Sequence, residues 1–228
     1  MTVKRFRFSL IELLAVIALV SLLTALMLPA FRKMTAGNAV DQMASQIKLA
    51  LEQAQSHAAV SRRLTAVIFY TEYNPKEPNL SLGGYSIVEL KKTTDDEYEF
   101  SNFISDSKWS NRVDGAIISK IDFNQPTTNG EGILENLPTN ANNGIVGINN
   151  LIKTSSENNE YKTTENAIIF RPTGGAVAEG SSYSLYIVIS EAILMGQEIK
   201  NPGYEAGKTA NFKILKLNLL TGRCEFLR

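Results

Sequence analysis

The chain has 228 residues, enough for one ordinary domain plus an additional element. Lys plus Arg and Asp plus Glu stand at 23 each, so no global charge points to a polyanion partner or an acidic surface. A single cysteine, Cys224, excludes an internal disulfide, and with the single His57 it leaves no Cys/His metal set, so neither metal nor cofactor is expected.

Residues 1–7 form a short basic leader containing Lys4, Arg5 and Arg7. Residues 8–31 then read FSLIELLAVIALVSLLTALMLPAF, with Glu12 as the only ionisable group. A helix rises about 1.5 Å per residue, so roughly 20 apolar residues cross a hydrocarbon core of about 30 Å. Residues 8–30 are therefore expected to be a membrane-spanning helix. The preceding cations are expected to keep the N-terminus in the cytoplasm and to send the rest of a single-pass chain outward. A secretory signal peptide would have a shorter apolar core and a small-x-small cleavage site, whereas this stretch ends Leu28, Pro29, Ala30, Phe31. A carboxylate in such a helix costs about 2.5 kcal/mol or more unless it is partnered or drawn to the interface. Glu12 is thus either a headgroup-level residue or the partner of a cation on a neighbouring subunit.

The string Phe8-Ser9-Leu10-Ile11-Glu12-Leu13-Leu14, between a basic leader and an apolar stretch holding Pro29, resembles the N-terminus of type IV prepilins and pseudopilins. The resemblance implies that a prepilin peptidase cuts between Arg7 and Phe8, that Phe8 is then methylated, and that Glu12 is the assembly carboxylate, neutralised by a neighbour's terminal amine. Its implied partners are other pilin or pseudopilin subunits, the peptidase, an inner-membrane assembly platform and membrane lipid, and its implied location is the bacterial inner membrane, single-pass, with the C-terminal domain in the periplasm. Arg7 stands where the family carries Gly, which predicts slow or absent cleavage before Phe8.

Residues 31–62 read as the amphipathic half of the same stalk, because Val40, Met43, Ala44, Ile47, Leu51, Ala54 and Ala58 recur at steps of three and four. Pro29 is expected to kink the helix where the two halves meet, and His57 to be a solvated or helix-end histidine. Residues 63–228 read as a β-rich globular domain, with strands at 64–70, 85–91, 116–123, 167–171, 183–190, 211–219 and 223–227. Thr221-Gly222 suits a hairpin turn, and Phe170-Arg171-Pro172-Thr173-Gly174-Gly175 a tight turn leaving a strand. The polar stretches 124–143 and 154–164 read as loops. This order of a helix, LTAVIFY, FRPTGGAV, an alternating strand and a terminal hairpin resembles the FimT/H-type minor pseudopilins, and also pilin-like proteins of verrucomicrobial cassettes. The expected fold class is accordingly α+β and pilin-like: a long N-terminal helix, membrane-spanning in its first half, packed on an antiparallel β-sheet domain.

The function expected is that of a structural minor pilin or pseudopilin subunit in a type IV pilus or type II secretion filament, assembled through the apolar helix. One alternative is a DNA-binding minor pilin of a competence pilus, with Lys213, Lys216, Arg223 and Arg228 as the available cations. Another is a signal-anchored periplasmic binding protein. Hydrolytic catalysis needs a nucleophile, a base and an orienting acid in one cleft, and the only histidine sits on the expected stalk, so no enzyme is expected. Asp95, Asp96 and Glu97 read as a solvated acidic loop rather than a calcium site.

Overall fold

The structure, a computed structural model, describes residues 10–70, 79–93, 97–105, 108–123, 146–154, 160–177, 183–195, 198–200 and 211–227. The chain opens with one helix, α1, over Leu10–Ser61. In its second half Ala39, Val40, Met43, Ala44, Ile47, Ala50, Leu51, Ala54 and Ala58 are buried, which is the apolar stripe that a 3.6-residue period puts on one face. The helix ends where Arg62 takes a positive φ of 56°, a left-handed conformation common at helix ends. The run LTAVIF that follows then forms a strand.

The strands are β1 (Leu64–Phe69), β2 (Tyr85–Lys92), β3 (Tyr98–Phe103), β4 (Ala116–Asp122), β5 (Val146–Thr154), β6 (Glu160–Phe170), β7 (Ser184–Glu191), β8 (Ile193–Met195), β9 (Glu198–Lys200), β10 (Phe212–Asn218) and β11 (Cys224–Leu227). They make a closed barrel in the order β1-β2-β3-β5-β6, a four-stranded sheet in the order β11-β10-β7-β4, and a β8-β9 hairpin. In the barrel Val67 of β1 faces both Ile87 of β2 and Ile168 of β6. Side chains alternate along a strand, so the near-continuous burial of β1 means that both its faces are covered. The α1 stripe, the β1 and β6 residues Val67, Ile68, Ile169 and Phe170, and Ile187, Ile189, Leu215 and Leu217 of the four-stranded sheet form one continuous core.

Two turns are tied to the helix at its far end. Gly174 N–H donates to the Arg171 carbonyl at 3.0 Å, and Arg171 N–H to the Gly175 carbonyl at 2.8 Å, which folds the Arg-Pro-Thr-Gly-Gly segment into a tight loop after β6. The Gln55 amide Nε2 donates to the carbonyls of Gly174 (3.2 Å) and of Thr221 in the β10–β11 turn (2.7 Å). Gly222 between them has φ +71°, and a Cβ there would collide with the Gly174 carbonyl oxygen and the Gln55 amide. Only glycine fits.

Three expectations are corrected here. The pilin-like fold class, with a long apolar helix spanning a membrane by its first half and packed on an antiparallel sheet by its second, is not the architecture found. The strands divide between a barrel, in which β3 and β5 pair in parallel (Tyr98↔Ile148, Glu99↔Asn149), and a separate four-stranded sheet. The second half of α1 packs against strands of both. The single-pass inner-membrane location with a cytoplasmic N-terminus and a periplasmic domain is overturned as well, because among the described residues no helix is long and apolar enough to cross a membrane. The stretch 154–164, read as loop, is also corrected, since it takes in the end of β5 and the start of β6.

The stripe makes a quantitative expectation. Leu51 is fully buried and Leu49, two residues away, is exposed. Leu51→Ala should cost about 2–5 kcal/mol in denaturant unfolding through lost transfer energy and a residual cavity. Leu49→Ala should stay within about 0.5 kcal/mol of the parent; equal effects at the two positions would contradict the packing described.

Candidate assembly surface

Among the described residues, the first half of α1 has no cover. Leu10, Ile11, Leu13, Leu14, Val16, Ile17, Leu19, Val20, Leu22, Leu23 and Met27 are between 47% and 79% exposed, and their spacing takes them round every side of the helix. A helix that is apolar all round belongs in a buried setting. Its hydroxyls are consistent with that: Ser21 Oγ donates to the Ile17 carbonyl and Thr24 Oγ1 to the Val20 carbonyl, each at 2.8 Å. Both polar groups are satisfied within the helix and ask nothing of the surroundings. Glu12 lies in the first turn, where a carboxylate is favoured by the helix dipole. Arg7 and Phe8, the expected peptidase and methylation residues, lie outside the described residues, as does Arg228. Pro29 lies inside α1.

The cations singled out for DNA do not form one free face. Lys213 Nζ sits 2.6 Å from Asp41 Oδ1 and 5.3 Å above the Phe226 ring, and Lys216 Nζ lies 3.5 Å from Glu225 Oε1. Arg223 is exposed and has no ion-pair partner among the described residues. Thus the four candidates separate into two engaged lysines, one available arginine and one position outside the described residues.

His57 is not merely a helix-end residue. Its Nε2 lies 3.7 Å from Glu89 Oε1, and its Nδ1 lies 3.3 Å from Thr65 Oγ1 and 3.4 Å from Ser61 Oγ. Arg63 Nη1 donates to the other Glu89 oxygen at 2.7 Å, so one largely shielded carboxylate joins the helix end to β2. Sequence reasoning missed Glu89, because only the β1–β2 register, which sets Thr65 opposite it, brings it there. The Ser61 hydroxyl donates to the His57 backbone carbonyl at 2.7 Å, so its proton is held inside the helix and is not offered to the imidazole. Among the described residues no three His, Cys, Asp or Glu side chains gather as a metal set; Asp95 and Asp96 lie outside them.

No protein-family model matches the chain, and no curated protein and no solved structure matches it.

Cys224 is buried in the core, and burial pushes its thiol pKa up to about 12. The thiolate is the reactive species and is scarce at neutral pH. Iodoacetamide at pH 8 should therefore leave Cys224 unmodified in the folded chain and alkylate it promptly after unfolding in guanidinium. Rapid alkylation of the native protein, read by mass spectrometry, would contradict this burial.

Proposed function

We propose that the chain is a structural, non-enzymatic subunit that assembles by bundling the apolar start of α1 with the same segment of neighbouring subunits, the role played by minor pilins and pseudopilins in a type IV pilus or type II secretion filament. The observation that carries the reading is the contrast along one helix: its second half is sealed into the core, while its first half shows apolar side chains on all sides. Burying one Leu, Ile or Val side chain is worth about 1.5–3 kcal/mol. Ten such residues, with Met27, held in water are a strong drive toward association. Helices of the same kind offer a matching surface, because ridges of Leu, Ile and Val interdigitate along near-parallel axes. Glu12, at the start of that surface, is the residue suited to set the axial register between neighbours by pairing with a cation.

The DNA-binding alternative as first drawn is less favoured, since Lys213 and Lys216 already have acidic partners within 3.5 Å. Surface pairs are weak, at about 0–1 kcal/mol, yet each still offsets a charge that phosphate would need.

Removal of residues 8–30 tests the reading. In a neutral detergent the full chain should sediment as a higher-order species, and the shortened chain as a monomer with the same β-type circular dichroism. A single charge in the bundling surface, Ile17→Lys, should weaken association at least ten-fold and leave the thermal midpoint of the domain unchanged. If the shortened chain associates as well as the full one, the apolar segment is not the assembly element.

A further inference from the structure

The fold gathers arginines at the end of the domain where α1 stops. Arg62 and Arg63 follow directly on Ser61, the last residue of α1. Arg171 follows Phe170, whose backbone partner across the β1–β6 ladder is Thr65, so it emerges beside the strand that Arg62 and Arg63 lead into. Arg223 follows Gly222, which lies against the Gly174 carbonyl of the loop that Arg171 begins. Gln55 holds both loops to the helix. Three stretches distant in sequence thus meet at one rim, and all four arginines are exposed.

Their charges are unevenly balanced. Arg63 is paired with Glu89 at 2.7 Å. Arg62, Arg171 and Arg223 have no ion-pair partner among the described residues. The nearby carboxylates Glu52 and Glu225 are engaged by Lys48 at 3.7 Å and by Lys216 at 3.5 Å. Among the described residues the rim therefore carries three guanidinium groups without an acidic partner, in a chain whose overall charge is zero. Exposed hydroxyls stand among them at Thr173 and Thr221; Thr221 Oγ1 accepts from the Arg223 N–H at 3.3 Å, which leaves its own proton to donate.

We propose that this arginine rim is a docking surface for a flexible phosphate polyanion. Guanidinium forks match phosphate oxygens two at a time, and the threonine hydroxyls add single donors. The arginines come from separate turns, so a chain whose phosphates recur along its length can meet them one after another. Flexibility lets such a chain follow the positions that the turns dictate. The surface is built by the domain alone and does not rest on helix bundling.

The test uses the full chain in neutral detergent and long-chain inorganic polyphosphate carrying a fluorescent end label, with binding read by anisotropy across a salt series. Each phosphate contact on a flexible chain contributes about −0.7 to the slope of log affinity against log salt, so three contacts predict a slope of about −2. The combined variant Arg62→Gln, Arg171→Gln, Arg223→Gln should bind at least ten-fold more weakly, with a slope near zero. Lys213→Gln with Lys216→Gln should bind within about two-fold of the parent. Single arginine variants, each expected to lose about three-fold, carry the test should the triple variant not fold. Parent-like binding by the arginine variants, a salt-independent affinity, equal competition by polyglutamate, or tighter binding to duplex DNA than to polyphosphate would each overturn the proposal.

Discussion

The contact between one face of α1 and two separate β-layers is the constraint from which the rest of the molecule follows. Ala44, Ile47, Leu51 and Ala54 are sealed between the barrel and the four-stranded sheet, so the helix axis is fixed by the core of the domain. Helix formation is limited by nucleation, and a packed half supplies a nucleus from which the same helix extends outward. The outer half needs no polar surroundings to stay helical: its side chains are apolar, and its Ser21 and Thr24 hydroxyls bond back to carbonyls one turn earlier. The described apolar side chains of that half are exposed, and they are the surface that the proposed bundling would cover.

The far end of the same helix organises the opposite pole. Gln55 bonds two carbonyls from loops that are 47 residues apart between Gly174 and Thr221, and glycine at position 222 allows those loops to touch. The Arg-Pro-Thr-Gly-Gly segment is thereby accounted for as a turn that closes β6 and docks on the helix. The arginine rim is a consequence of that docking: backbone packing chooses where Arg171 and Arg223 emerge, and the helix stop chooses where Arg62 does. Apolar chemistry thus occupies one end of α1 and cationic chemistry the other.

Much of this was legible in the residues, and the reasons are particular. The stripe from Val40 to Ala58 was readable because an apolar residue every three or four positions admits only one helical face. The strands starting at Leu64, Tyr85 and Ala116 were readable from β-branched and aromatic runs, and the final hairpin from Thr221-Gly222. The strands β3 and β5 and the first half of β6 were not, because polar stretches such as Ser101-Asn102, Asn149-Asn150 and Lys162-Thr163-Thr164-Glu165-Asn166 interrupt their apolar residues, and the pairing with β2 and between β5 and β6 holds them extended. Barrel closure was equally hidden, since a parallel β3–β5 contact joins segments far apart in sequence. At the candidate sites, composition showed which residues were charged but not which were paired: Asp41 finds Lys213, and Glu89 finds Arg63, only through tertiary packing. The pilin-like fold class and the single-pass inner-membrane location were overextended in the same way, by treating an apolar N-terminal run as sufficient to fix both.

The central claim, that the exposed start of α1 is covered by the same segment of another copy, is tested most directly by disulfide trapping. The native thiol is buried, so a new cysteine reports its own surroundings. With Ile17→Cys in the full chain in neutral detergent, mild oxidation should yield a covalent dimer, while Leu49→Cys, on the exposed side of the packed half, should remain monomeric. A folded Ile17→Cys protein that stays monomeric under conditions in which the Leu49→Cys protein cross-links would contradict the account.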